Sequence, residues 1–202
     1  MKIDIWSDVR CPFCYIGKRK FEAALERFAH KDKVEVVWHS FQLDPTLETR
    51  SDLNVSDYLA ERKGLTREQV EQMHQHVQDA AGEIGLHFNF DRAVLANSFN
   101  AHRLIQFAKT QGLGNDMEER LFKAHFIDGE NIDDGETLVQ IGVSIGLSPV
   151  ETKEVIASNA YHGEVSQDEL TAQHSASVSV AYLSLYLTKN MPFPARNLPK
   201  YF

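Results

Sequence analysis

The chain contains two cysteines, Cys11 and Cys14, and their spacing is the feature best suited to chemistry. Thiol–disulfide exchange needs one thiolate that attacks a disulfide and a second thiol that resolves the mixed disulfide. Two cysteines separated by two residues on the first turn of a helix meet both needs, because the first sulfur faces free N–H groups and the positive end of the helix dipole. We therefore predict that Cys11 is the nucleophile and Cys14 the resolving thiol.

The residues around the two cysteines fit the same chemistry. Pro12 suits the first turn of a helix, where its missing N–H would have had no partner. Arg10 places a cation next to the pair, which would favour the thiolate. Phe13 is expected either to face the substrate as an apolar contact or to cover the sulfur. These three residues are the predicted environment of the thiolate.

Other interpretations of the cysteines have less support. Half of a zinc site would need two further ligands, and the sequence has no second cysteine pair. His74 and His76 are two residues apart on a predicted helix, so their side chains would diverge. A zinc-binding or chaperone-like module is the non-enzyme alternative, and inert core cysteines are a further one. No metal and no cofactor are predicted.

Composition limits the class of protein and its partners. The 202 residues are 43% hydrophobic and 25% charged, as in a globular protein with a sizeable core. The net charge of -8 argues against nucleic acid or an anionic membrane as the main partner. The chain begins without a long apolar run, and the uncharged residues 170–188 are too polar to span a membrane. We expect a cytoplasmic protein, for which a monomer and a homodimer both fit.

Hydrophobic periodicity predicts a strand–helix–strand start followed by a block of helices. Residues 2–7 and 34–43 are predicted strands, because β-branched and aromatic residues alternate or dominate there. A helix is predicted between them at residues 15–30, with the cysteines at its beginning. The later pattern predicts helices at residues 55–63, 66–84, 98–111, 115–127, 134–146 and 149–158. The predicted fold class is α/β, with a large all-helical insertion.

Residues 8–21, which read DVRCPFCYIGKRKF, resemble the opening of the DsbA family of thiol–disulfide oxidoreductases, specifically its FrnE-like branch. Three later blocks match the same family: residues 97–104 (NSFNAHRL), 119–122 (ERLF) and 131–132 (NI). The resemblance extends from the N-terminus to about Gln173. It implies a thioredoxin fold interrupted by a helical domain.

The resemblance also implies domain boundaries and an activity. Residues 1–45 and about 160–202 would form the thioredoxin-like domain, and residues 46–159 the helical insertion. The implied reaction is dithiol–disulfide exchange with protein thiols and disulfides or with glutathione as a redox partner. A related branch, the kappa-class glutathione transferases and hydroxychromene-carboxylate isomerases, usually carries Ser where Cys11 stands. A glutathione-dependent isomerase or transferase is therefore the second enzyme alternative.

Other polar residues are predicted to have structural roles. His102 and Arg103 are expected to pack within their helix bundle or to lie on its surface. His39 is expected to be a core histidine whose hydrogen bonds are satisfied. A solvated helix face is predicted for three consecutive residues, Glu118, Glu119 and Arg120.

The resemblance stops near His174. The family continues with a Gly-Val-Pro-Phe-Phe-type segment whose cis-proline faces the dithiol, but this chain has no Gly after Gly163 and no Pro at that place. Joining the third base of each codon to the first two of the next lets residues 176–202 spell IGVRGVPFFIFNEKYAVSGAQPAEIF. Met191 before Pro192 forces the hidden Ala, because methionine has a single codon. We propose that the residues from about His174 onward are a frame-shifted reading of the family's C-terminus.

The coding DNA around codons 173–176 tests the frame shift. We expect codons whose shifted reading spells the hidden peptide. The alternative is a genuinely divergent tail, in which apolar residues still alternate in part, as they do in a strand. Codons that cannot spell the hidden peptide would establish that alternative.

The tail also bears on activity. A cis X–Pro bond is a costly feature that proteins keep for a purpose, and in this family it shapes the groove beside the nucleophile. The chain as printed is therefore expected to exchange disulfides more slowly, or with weaker substrate selectivity, than a frame-restored version. Equal exchange rates for the two proteins would refute this expectation.

Overall fold

The computed structural model of the chain describes residues 1–174. The chain opens with strand β1 (Lys2–Ser7) and helix α1 (Pro12–Glu26), and a 3₁₀ turn then leads to strand β2 (Glu35–Ser40). β1 and β2 pair in parallel. A parallel pair needs a crossover connection, and α1 supplies it. The predicted strand–helix–strand start is confirmed, and the helix begins at Pro12, between the two cysteines, as expected.

The remaining described residues are mainly helical, as predicted. The elements in chain order are β3 (Arg50–Asn54), α2 (Val55–Lys63), α3 (Arg67–Gly82), β4 (Val94–Leu95), α4 (Phe99–Thr110), α5 (Gly114–Lys123), a π-helical segment (Ala124–Asp128), α6 (Gly135–Ser144), α7 (Pro149–Ala157) and α8 (His162–His174). Each predicted helix has an observed counterpart. The short antiparallel pair β3–β4 and helix α8 were not predicted.

Helix α8 lacks the pattern by which a surface helix is recognised. Val165 and Ala172 are its buried residues, so it has no continuous apolar stripe along one side. Its attachment to the rest of the fold is polar instead. An attachment of this kind leaves no trace in hydrophobic periodicity.

One hydrophobic core joins the start of the chain to the helical block. Tyr15, directly after Cys14, is 1% exposed, and its ring stacks on Phe122 of α5 with 4.7 Å between ring centroids. Val9 and Ile16 belong to the same core cluster. The first turn of α1 is therefore packed against the helical block.

Asp168 attaches α8 to the sheet. Its carboxylate accepts hydrogen bonds from His39 Nδ1 at 2.8 Å, from the Ser40 backbone N–H at 2.8 Å and from Gln106 Nε2 at 2.6 Å. Its backbone carbonyl accepts a further bond from Trp6 Nε1 at 2.9 Å. Both strands and α4 thus converge on one residue of α8: β2 and α4 bind its side chain, and β1 binds its backbone carbonyl.

The second ring nitrogen of His39 lies 2.8 Å from Asp4 Oδ1, so both nitrogens have partners and the expectation of a satisfied histidine is confirmed. The hydrogen bond with Asp168 is the main reason why the pKa of His39 is raised, although burial acts in the opposite direction. A raised pKa means that the imidazolium contributes stability below its ordinary pKa. That contribution is lost as the pH rises through the raised value.

The sequence-based predictions for the tail concern residues 175–202 and lie outside the described residues. They include the frame shift and the C-terminal part of the thioredoxin-like domain. The domain boundaries at residues 45 and 160 also stay a prediction. Within residues 1–174, none of the helices is long and apolar enough to cross a membrane.

Asp168→Asn should lower the free energy of unfolding by about 3 kcal/mol near pH 6, because hydrogen bonds to a charged group contribute about 1.5–3 kcal/mol each and the amide replaces one acceptor oxygen by a donor. The loss should become smaller above the raised pKa of His39. Urea unfolding across this pH range measures both effects. Glu154→Gln, at an exposed position on α7, is the control and should change stability by at most about 0.5 kcal/mol. Equal effects of the two substitutions would contradict the role of Asp168.

Candidate active site

The loop between β1 and α1 is organised by Asp8, whose side chain is fully buried. Its carboxylate accepts hydrogen bonds from the Arg10 N–H at 3.0 Å and from the Leu43 N–H at 2.8 Å. Its backbone carbonyl accepts one from the Cys11 N–H at 2.9 Å. The loop is therefore tied both to itself and to the chain that leaves β2.

Cys11 occupies the N-cap position of α1, and Pro12 is the first residue of the helix. The backbone of Cys11 is extended, with φ −93° and ψ 112°, as is usual at an N-cap. Its carbonyl accepts the first bonds of the helix, from the Cys14 N–H at 3.0 Å and the Tyr15 N–H at 3.3 Å. Both cysteines are free thiols and are partly exposed.

The pKa values of the two thiols move in opposite directions. The hydrogen bond from Cys14 lowers the pKa of Cys11, and the N–H groups of Cys14 and Phe13 lower it further, against burial and the charge of Asp8. The same hydrogen bond raises the pKa of Cys14 well above its ordinary range, and burial adds to this. Cys11 is therefore the thiol that ionises first.

The three residues predicted around the thiolate have distinct positions. Pro12 begins α1, as expected. Phe13 is partly buried and packs against the main core cluster. Arg10 is partly buried, and its charge acts on Asp8 and on His125.

His125 is a residue near this loop that the sequence did not single out. It lies in the π-helical segment after α5, and segments of this type occur frequently at functional sites. Burial lowers the pKa of His125 to about 4, and the positive charge of Arg10 contributes to the same effect. The imidazole is thus neutral near pH 7. No spacing or motif in the sequence distinguishes it from the other histidines.

Buried polar side chains of α4 and α5 lie close to the end of β1. His102 of α4 is 1% exposed, and its Nε2 is 3.5 Å from Asp8 Oδ1. Glu118 of α5 is 3% exposed and interacts electrostatically with Lys18 and His102. The prediction of a solvated helix face is therefore wrong at Glu118. The periodicity of α5 gave no sign of this, because a buried carboxyl interrupts an otherwise apolar face.

The neighbouring residues of that predicted face are also engaged. Glu119 accepts a hydrogen bond from the Tyr15 hydroxyl at 2.6 Å and is paired with Arg19. Arg120 is paired with Asp128 and Glu130. The side chains are partly buried rather than freely solvated.

Arg103 has the packing role that was predicted for it. It is 4% exposed, and its guanidinium donates to backbone carbonyls of Val155, Ser158 and Ala160. These carbonyls lie at the end of α7 and in the following turn, where helices leave acceptors without partners. Arg103 thereby fixes the turn that leads into α8.

Burial raises the pKa of Glu118 to about 7 from an ordinary value of 4.5. The raised pKa means that Glu118 favours the folded state fully below about pH 4.5, and that this contribution is lost as the pH rises through 7. Above that pH, keeping the buried Glu118 side chain ionised lowers the stability of the folded protein by about 3 kcal/mol. Perturbed groups of this kind are concentrated at functional sites.

The zinc interpretation requires additional ligands around the cysteines. Among residues 1–174, no group of three or more His, Cys, Asp and Glu side chains is arranged to hold a metal ion. Within this part of the chain, Cys11 and Cys14 therefore lack the further ligands that a zinc site would need.

Two comparisons identify relatives across most of the chain. The uncharacterized protein YwbO of Bacillus subtilis (strain 168) is 30% identical over 161 residues, which cover 79% of this chain and 73% of YwbO. The crystal structure of SCO1869 from Streptomyces coelicolor, described as a probable DsbA oxidoreductase, is 30% identical with a TM-score of 0.83. That match covers 96% of this chain and 92% of the other.

More distant structures share the fold. The cytosolic disulfide reductase DsbM from Pseudomonas aeruginosa, solved also with GSH, has 17% identity and a TM-score of 0.61 over 89% of this chain and 82% of its own. A 2-hydroxychromene-2-carboxylate isomerase has 12% identity and a TM-score of 0.61, over 85% of this chain and 79% of its own. The sequence profile of the DSBA-like thioredoxin domain matches residues 2–177. The chain therefore belongs to the DSBA-like thioredoxin domain family, and its fold is the thioredoxin fold with a helical insertion.

Proposed function

We propose that the protein is a thiol–disulfide oxidoreductase of the FrnE-like branch that uses the Cys-Pro-Phe-Cys dithiol. The observation that carries the proposal is the pair of free thiols at the start of α1, with Cys11 at the N-cap. Membership of the family supports it. A helix N-terminus stabilises a thiolate, and a second thiol one turn along can reach the sulfur of the first.

The reaction proceeds in two displacements. The Cys11 thiolate attacks one sulfur of a substrate disulfide, forms a mixed disulfide and releases the other substrate sulfur as a thiolate. The Cys14 sulfur, after losing its proton, attacks Cys11, forms the intramolecular disulfide and releases the second substrate thiolate. The substrate disulfide gains two electrons, and the dithiol loses them. The reverse sequence oxidises a substrate dithiol.

The proposed partners are protein thiols and disulfides or glutathione, and the dithiol needs no further cofactor. The presence of GSH in a structure of DsbM supports glutathione as one redox partner. The acidic composition disfavours nucleic acid and anionic membranes as partners. We place the reaction in the cytoplasm, as for DsbM, which is described as cytosolic. A monomer and a homodimer are both compatible with this proposal.

A glutathione redox titration of the full chain, followed by thiol trapping and mass spectrometry, tests the function. We expect one two-electron transition that involves Cys11 and Cys14 together, and its midpoint defines the direction of the reaction in the cell. Cys14→Ser should accumulate a glutathione adduct on Cys11, because the resolving thiol is missing. Cys11→Ser should reduce exchange to the uncatalysed rate.

Three results would contradict the proposal. The first is a chain that shows no two-electron transition in the titration. The second is a Cys11→Ser variant that keeps its activity, which would favour a glutathione-dependent isomerase or transferase, since that branch usually carries Ser at this position. Zinc in the purified protein, released by blocking the thiols, would favour a metal-binding module instead.

A further inference from the structure

Residues 40–43, where the chain leaves β2, are bound from two sides, and we call them the exit segment. On one side lies α8, whose two adjacent acidic residues accept hydrogen bonds from the backbone of the segment. Asp168 Oδ2 accepts one from the Ser40 N–H at 2.8 Å. Glu169 Oε1 accepts one from the Gln42 N–H at 3.2 Å. Every second N–H of the exit segment is therefore directed at α8, as expected of an extended chain.

The other two N–H groups of the exit segment are directed at β1 and at the loop before Cys11. The Phe41 N–H donates to the carbonyl of Ser7, the last residue of β1, at 3.1 Å. The Leu43 N–H donates to Asp8 Oδ2 at 2.8 Å. The exit segment thus lies between α8 and the loop, and its N–H groups bind the two in turn.

Asp8 extends this connection to the dithiol. Its second carboxylate oxygen accepts a hydrogen bond from the Arg10 N–H at 3.0 Å, and its carbonyl accepts one from the Cys11 N–H at 2.9 Å. An unbroken series of hydrogen bonds therefore joins α8 to Cys11. A displacement of the exit segment would move the Leu43 N–H away from Asp8 and loosen the backbone that places Cys11 at the N-cap.

The exit segment is also held at the start of α4. The Gln42 side chain is 6% exposed, and its amide donates to Asn97 Oδ1 at 2.9 Å and to Ser98 Oγ at 3.3 Å. Loss of the hydrogen bond to Glu169 therefore shifts or loosens the exit segment without releasing it. For this reason we expect variants at position 169 to fold.

The three acidic residues that bind the exit segment repel one another. Burial raises the pKa of Glu169, and the charges of Asp8 and Asp168 add to this effect. The hydrogen bond from the Gln42 N–H acts in the opposite direction. Like charges in a partly buried site oppose folding unless hydrogen bonds compensate for them. Each of the three carboxylates binds a backbone N–H of the exit segment, and together they fix where the segment lies.

We propose that Glu169 of α8 is a positioning residue for the dithiol and acts with Asp168 on the exit segment. This inference rests on the proposed function. Through Asp8, the exit segment keeps Cys11 at the N-cap of α1. The hydrogen bond from Cys14 lowers the pKa of Cys11, whereas the charge of Asp8 opposes this effect. A loosened exit segment withdraws an N–H that compensates for the charge of Asp8 and lets the N-cap move, and both changes disfavour the thiolate.

Glu169 is the residue to change, because Asp168 also binds His39 and Gln106. The reduced full chain is labelled with iodoacetamide at a series of pH values, and mass spectrometry localises the label to Cys11. Glu169→Ala removes the acceptor and should raise the apparent pKa of Cys11 by about 0.5–1 unit, since one hydrogen bond contributes about that much. Glu169→Met keeps the length of the side chain without its acceptor and should give the same shift.

A glutathione redox titration of Glu169→Ala and Glu169→Met provides a second measurement. A less stable thiolate makes the reduced form less favourable. The midpoint of both variants should therefore move in the reducing direction relative to the wild type.

Two control variants separate the hydrogen bond from charge and from general destabilisation. Glu169→Gln loses the charge but keeps an Oε1 acceptor, so it should retain the wild-type pKa of Cys11. Glu164→Ala removes an exposed carboxylate from the first turn of the same helix and should also leave that pKa unchanged. Thermal unfolding measures the stability of each variant separately from its labelling.

The failure of this inference and that of the proposed function are distinguishable. A wild-type pKa of Cys11 in Glu169→Ala and Glu169→Met would overturn the positioning role, whatever the stability of the two variants. An equal shift in Glu169→Gln would also overturn it, because the charge rather than the hydrogen bond would then be responsible. If the wild type shows no two-electron transition with glutathione, the proposed function fails, while a shift in the labelling pKa still establishes the connection from α8 to Cys11.

Discussion

The hydrogen bonding of Asp8 is the constraint on which the geometry of the candidate active site depends. One buried carboxylate binds the backbone of the loop that precedes Cys11 and the backbone that follows β2, at residue 43. The parallel strands and the start of α1 are thereby fixed relative to each other. The position of Cys11 at the helix N-cap follows from this arrangement. A fully buried charge is costly unless it is hydrogen-bonded. This cost explains why both oxygens of the Asp8 carboxylate accept hydrogen bonds from backbone N–H groups.

The helical block does more than enclose a core. It contributes Phe122, which stacks on Tyr15 of α1, and the buried polar side chains of His102 and Glu118. A purely apolar contact between α1 and the helical block would be more stable, since a buried carboxyl with a raised pKa opposes folding above neutral pH.

Much of this arrangement could be predicted from the sequence. The strand–helix–strand start, the position of the dithiol and the succession of later helices follow from periodicity and from the Cys-Pro-Phe-Cys spacing. Helix α8 could not be predicted, because it is attached through Asp168 rather than through an apolar stripe. Glu118 was misplaced on the surface, since an acidic residue in a helix is usually solvated and only its tertiary neighbours reveal otherwise. The sequence likewise gives no sign that His125 is buried, and the π-helical segment that contains it was not predicted.

The central claim is that the fold makes the two thiols unequal, and alkylation of the reduced full chain measures this most directly. Iodoacetamide labelling at a series of pH values, with each cysteine quantified in its own peptide by mass spectrometry, gives an apparent pKa for each thiol. The account predicts that Cys11 reacts as a thiolate with a pKa below the ordinary value of about 8.5 and that Cys14 stays unmodified over the same range. Equal reactivity with ordinary pKa values, or faster labelling of Cys14, would contradict it.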